Sequence, residues 1–156
     1  LFLLRLLDLM RTQLADLDLA AIYQARRLLE IELTAIAAEN ADDAAIRCIE
    51  AALERMRQTI DDDAAFMQAD LEFHLAVAEA GGNPLLKQFY HITAELMGEV
   101  NERIAGLPGL KSSGLSIQES ILEAIRAHNP TLARRRAQTL VKRWHAILRA
   151  FAAAKP

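Results

Sequence analysis

A chain of 156 residues, 53% apolar and 25% charged with a net charge of −3, can bury one core but is too short for two ordinary domains. Ala and Leu are abundant while Gly, Pro and aromatics are few, which favours helix over strand. The small net charge gives no bulk field aimed at nucleic acid or a membrane surface, and a single cysteine excludes an internal disulfide.

The opening segment, LFLLRLLDLM, predicts a short helix from near Leu1 to Leu14. Arg5 and Asp8 interrupt it, it is too short to span a bilayer, and it has no small-residue cleavage site, so neither a membrane anchor nor a signal peptide is expected. The chain starts at Leu1 rather than Met, from which a further upstream segment is expected. Asp16 or Asp18 can cap the next helix, from about Leu19 to Glu39, with Ile22, Leu29, Leu33 and Ile36 on one face. Asn40, Asp42 and Asp43 break and recap the chain for a helix to about Ile60. Cys48, beside Ile46 and Ile49, is expected to be a buried thiol in a reducing cytoplasm.

Asp61, Asp62 and Asp63 place negative charge at the start of the next helix, where the dipole favours it, and Gly81-Gly82 ends that helix. Asn83-Pro84 reads as a cap followed by proline at the first helical position, opening a helix to about Ala105. Gly106 to Gly114 is expected to be the longest irregular stretch. A helix from roughly Ser116 to Ala127 follows, and His128-Asn129-Pro130 repeats the cap-and-proline signal before a last helix to about Ala153. No run alternates like a strand, and no repeat or domain boundary is visible. The expected fold class is all-α: an antiparallel bundle of six to seven helices, one domain over residues 1–156.

Several polar residues fall on apolar stripes. Arg26 lies between Ile22 and Leu29, Asp70 falls within the stripe of Phe66, Phe73 and Val77, and His74 follows one turn later. Gln118 precedes Ile121 and Leu122 by one turn, and Asn101 follows Met97 and Val100. Buried polar groups need partners. Two readings stand: the residues converge on a small-molecule pocket, or Arg26 pairs with Asp70 and His74 donates to a backbone carbonyl. The basic run Arg134-Arg135-Arg136, with Lys142 and Arg143, has no interleaved aromatics and reads as a solvated face. Phe89, Tyr90 and Trp144 read as core or interface aromatics. The chain has no Glu-x-x-His pairs, nucleophile–base arrangement, Gly-rich phosphate loop or Cys-based zinc spacing.

The segments LDLAAIYQARRLLEIELTAIAAENA, DLEFHLAVAEAGGNPLL and ILEAIRAHNPTLARRRA occur in this order. Together they resemble the C-terminal effector-binding (FCD) domain of FadR-subfamily GntR transcription regulators, from about Leu17 onward. The most specific piece is Asp70-x-x-x-His74 followed by Gly82-Asn83-Pro84-Leu85. The resemblance implies a bacterial repressor or activator whose winged helix-turn-helix binds operator DNA and lies outside this chain. It also implies a cytoplasmic, helical domain that senses a metabolite and forms a homodimer. Apolar surface in the first segment supports the dimer.

Many members of that family hold a divalent metal through one Asp and three His. Asp70 and His74 match the first two ligands, but the third position is Gln118 and the fourth is Leu140. His91, His128 and His145 fall at no ligand position. An amide is a poor substitute for imidazole at Zn²⁺ or Ni²⁺, so no metal cofactor is expected. The expected ligand-binding residues are Arg26, Asp70, His74, Asn101, Gln118 and Leu140. Arg26 is the expected anchor for a small organic acid. An acyl-coenzyme A thioester in a more apolar cavity, or a purely structural dimerisation bundle, are the alternatives. An enzyme using Asp70 and His74 as an acid–base pair lacks a nucleophile or cofactor motif.

Overall fold

Side-chain caps set where four of the helices of the computed structural model begin; it describes residues 19–153. The helices are α1 (Leu19–Asn40), α2 (Asp43–Gln58), α3 (Asp63–Ala80), α4 (Pro84–Leu96), α5 (Gly98–Ile104), α6 (Leu110–Arg126) and α7 (Pro130–Ala153). Asp42 accepts from the Ala45 N–H at 2.7 Å, Asp62 from Ala65 at 2.9 Å and Asn129 from Leu132 at 2.9 Å. Asn83 accepts from both Leu85 and Leu86, with Pro84 at the first helical position. Each such cap is worth about 0.5–2 kcal/mol. The helix expected from Leu1 to Leu14 lies outside the described residues.

Three expectations are corrected. The helix expected from Pro84 to Ala105 is broken at Met97, and α5 restarts at Gly98. Glycine is a poor helix former, and Met97 is buried among Ile104, Trp144 and Leu148, so packing fixes the bend. The stretch Gly106 to Gly114 is mostly not irregular, because α6 starts at Leu110. There the hydroxyls of Ser112 and Ser113 donate to the Gly109 carbonyl, and Leu110 packs against the Met97–Trp144 cluster. Cys48 is exposed rather than buried: Ile49 faces the core and its neighbour points to solvent.

Antiparallel α1 and α7 share the most extensive packing, held in register by Arg134 to Glu32 at 2.8 Å and by Tyr23 stacked on His145 at 3.8 Å. The main core gathers Ile49, Leu53 and Met56 of α2, Phe73 and Val77 of α3, and Ile121 and Ile125 of α6. Fully burying each such side chain contributes about 1.5–3 kcal/mol.

The turns α1–α2, α3–α4 and α6–α7 lie at one end of the bundle. Asn40 donates to the Gly81 carbonyl at 3.2 Å, and His128 Nδ1 lies 3.1 Å from the Ala38 carbonyl. A Cβ on Gly81 would come within 3.1 Å of the Ile36 side chain, and Gly82 has φ +76°. This corner needs a bare backbone.

Candidate functional site

Arg26 and Glu30 stand one turn apart on α1, Asp70 and His74 one turn apart on α3, and Gln118 lies in the middle of α6. The parallel run of these three helices brings them together. Arg26 Nε donates to Glu30 Oε2 at 2.7 Å. The other carboxylate oxygen of Glu30 lies 3.2 Å from His74 Nδ1. On the far side of the ring, His74 Nε2 is 3.2 Å from Gln118 Nε2, which donates to Asp70 Oδ1 at 2.6 Å. A polar chain therefore crosses three helices in a region where Gln118 is 1% and Glu30 3% exposed.

The charges in this chain follow from their neighbours. Burial alone lowers the Arg26 pKa, but the Glu30 carboxylate, with smaller contributions from Tyr90 and Asp70, outweighs it and raises it above the usual arginine value. Burial pushes Glu30 up, and the Arg26 guanidinium and His74 more than reverse this, holding its carboxyl below the usual range. Burial and then Glu30 raise the Tyr90 phenol well above its ordinary value, so it stays protonated.

Beside this chain lies a cavity of about 240 Å³, walled by Arg26, Met67, Asp70, His74, Tyr90 and Asn101 among others. A smaller recess of about 60 Å³ shares Arg26, Met67, Asp70, His74 and Asn101 and adds Leu140, Arg143 and Trp144. The shared walls make them two lobes of one site. Trp144 Nε1 donates to Asn101 Oδ1 at 3.1 Å, and the Arg26 guanidinium carbon lies 4.4 Å from the Trp144 ring centre, a cation–π contact. The bend at Met97 aims Asn101 at Trp144.

Of the expected residues, Arg26, Asp70, His74 and Asn101 line both lobes, and Leu140 lines the smaller. Gln118 is buried behind Asp70 and His74 and holds both. The pairing of Arg26 with Asp70 is corrected, since the ion-pair partner of Arg26 is Glu30. Nor does His74 donate to a carbonyl: its ring nitrogens face Glu30 and Gln118. Sequence reasoning missed Glu30 and Tyr90. The i,i+4 spacing from Arg26 was the available signal for Glu30; Tyr90 carried none. His91 faces Glu95 at 3.2 Å and His145 stacks on Tyr23, both away from the cavity walls. Tyr90 and Trp144 are buried, while Phe89 is exposed.

Asp70 and His74 converge on one point, and the Gln118 amide nitrogen occupies it. An amide N–H offers a cation no lone pair, so this donor set does not fit a divalent metal. Among the described residues no group of three or more His, Cys, Asp or Glu could hold one. The same amide stands between Asp70 Oδ1 and His74 Nε2, which are 3.7 Å apart. Among the described residues no helix is long and apolar enough to cross a membrane.

The sequence profile of the FCD domain family matches residues 21–143. The HTH-type transcriptional repressor NanR of Citrobacter rodentium is 33% identical over 135 residues, covering 83% of this chain and 52% of the relative. That of Klebsiella aerogenes is 32% identical over 139 residues, covering 88% and 54%. The chain thus spans about half the length of these curated relatives. Among solved structures, a GntR protein of Streptococcus agalactiae superposes with a TM-score of 0.68 at 20% identity, over 83% of this chain and 57% of that one. That likeness shows a shared fold.

Proposed function

The chain belongs to the FCD domain family of GntR-type transcription regulators, a regulator domain and not an enzyme, and from that premise we propose that it senses a compact organic acid in the cavity between α1, α3, α4, α5 and α7. The carrying observation is a hollow beside the main core whose walls include Arg26, Asp70, His74 and Asn101. A filled core would suit a purely structural scaffold; a cavity does not. The two lobes, about 240 and 60 Å³, stand at the lower end of the roughly 300–1,000 Å³ typical of ligand pockets. That favours a small metabolite over an acyl-coenzyme A thioester. Arg26, Asp70, His74, Asn101 and Leu140 form its walls in this reading, with Gln118 holding Asp70 and His74 in place.

The ligand acts by population shift: it favours one arrangement of the helices, and with it one placement of winged-helix domains on operator DNA. In this reading those domains lie outside this chain, and the protein works in the bacterial cytoplasm. A ligand at 100 times its Kd stabilises the fold by about 2.7 kcal/mol. The melting temperature should then rise by roughly 5–10 °C in a screen of small carboxylates. A screen in which no acid does so, or in which only long-chain thioesters do, overturns this reading.

The domain also dimerises in this reading, through surface that includes the exposed Leu28, Leu85 and Phe89. Sedimentation at micromolar concentration should give the mass of two chains; a monomer alone rejects the dimer.

A further inference from the structure

We infer that Arg143, not Arg26, holds the anionic group of the cavity's occupant, and that the occupant is a compact anion that also carries hydrogen-bond donors. The inference rests on the sensing reading above and adds to it the charge and polarity of the ligand.

The guanidinium of Arg26 is already neutralised. Glu30 accepts from it at 2.7 Å, both side chains are buried, and the Trp144 ring lies against it. Around the larger lobe the remaining charged walls are acidic: Asp70, whose side chain keeps 21% exposure, and Glu102. An anion placed there meets two carboxylates and a guanidinium that is already paired. Hydroxyl or amide N–H groups find acceptors in the same place.

Arg143 is in the opposite situation. It lines the smaller lobe together with Arg26, Asp70 and Asn101. It also lines an adjoining apolar recess of about 360 Å³ with Leu107, Pro108, Ile147 and Phe151. Among the described residues no carboxylate comes within salt-bridge distance of it. One terminal nitrogen donates to the Gly109 carbonyl at 3.3 Å, while its Nε is buried with no partner. A desolvated N–H of a charged group left unpaired is costly, and a carboxylate taken up by the fork of a guanidinium removes that cost. The other basic residues of α7 differ: Arg134 is paired with Glu32, and Arg135, Arg136, Lys142 and Arg149 are exposed to solvent. Arg143 alone among them turns into a wall of the cavity. An occupant with its anionic end at Arg143 and its donors toward Asp70 matches both lobes.

The test uses the 156-residue chain and hydroxylated carboxylates of about four to nine carbons, a size set by the small pocket, each paired with its neutral primary amide. Binding is read by calorimetry, and folding of each variant by circular dichroism. In the parent, the acid should bind at least tenfold more tightly than its amide. Arg143→Gln should abolish that ratio by weakening the acid alone, leaving the amide's affinity unchanged. Arg143→Lys, which keeps the charge without the fork, should retain part of it and serves if the glutamine variant fails to fold. An acid-to-amide ratio that survives Arg143→Gln overturns the inference and leaves the sensing reading intact. So does a parent that binds acid and amide equally. Failure of every acid and amide to bind the parent overturns both.

Discussion

Replacing Glu30 by alanine is expected to cost about 3–5 kcal/mol of folding stability, because it leaves the Arg26 guanidinium buried without its counter-charge. At this chain length that corresponds to a fall in melting temperature on the order of 10 °C. Removing both charges together, as Arg26→Met with Glu30→Leu, should be close to neutral, since the desolvation penalty goes with them. The Arg55–Glu72 pair supplies the contrast. It has the same 2.7 Å separation, but its side chains are 51% and 37% exposed. Breaking it should cost about 1 kcal/mol or less.

The same pair sets a pH dependence. The folded state holds the Glu30 carboxyl below its usual range, so the unfolded chain binds that proton more readily. The stabilisation is complete above the ordinary glutamate range and is lost as pH falls through the folded value. Denaturant titrations across the acidic range should show this loss in the parent and a flatter limb in Glu30→Gln. A cost for Glu30→Ala as small as that for Glu72→Ala would show the pair to be solvated and remove it from this account.

The second large effect concerns Gln118. Its amide nitrogen stands 2.6 Å from Asp70 Oδ1 and 3.2 Å from His74 Nε2, where a third metal ligand would have to converge. Leu140 shares the smaller lobe with both residues. Gln118→His combined with Leu140→His should therefore supply one carboxylate and three imidazoles, a set that suits Zn²⁺. Metal at 1,000 times its Kd stabilises a fold by about 4.1 kcal/mol, so the double variant should melt roughly 10 °C higher with added Zn²⁺. The parent should show no such rise. One equivalent of tightly held metal in the parent, by elemental analysis, would refute the account of the Gln118 amide; an unresponsive variant would show that position 140 does not converge.

Where the helices start was readable because the caps are local chemistry. Asp42, Asp62, Asn83-Pro84 and Asn129-Pro130 act within four residues of themselves, and Gly81-Gly82 ends α3 by its own backbone freedom. The start of α6 was hidden because local and distant preferences disagree there. Ser112, Ser113 and Gly114 read as loop, yet Leu110 gains a place beside Met97 and Trp144, and tertiary packing prevails.

The site divides in the same way. Arg26, Asp70 and His74 announced themselves as polar residues on apolar stripes. Glu30 did not, because its place between Arg27 and Glu32 in the sequence carries no sign of burial. Only burial against α3 separates Glu30 from them. The role of Cys48 was misread for the converse reason: two flanking isoleucines on a helix do not determine which way the residue beside them faces.

The tethers joining Asn40 to Gly81 and His128 to Ala38 make one end of the bundle a fulcrum. Arg26 sits twelve residues along α1 from Ala38, a lever arm of about 18 Å at 1.5 Å per residue. A small angular swing about that anchored end is therefore magnified at the cavity. α5, only seven residues long, supplies Asn101 to the cavity wall. An occupant that pressed on the cavity walls would, on this geometry, turn whole helices about the tethered end.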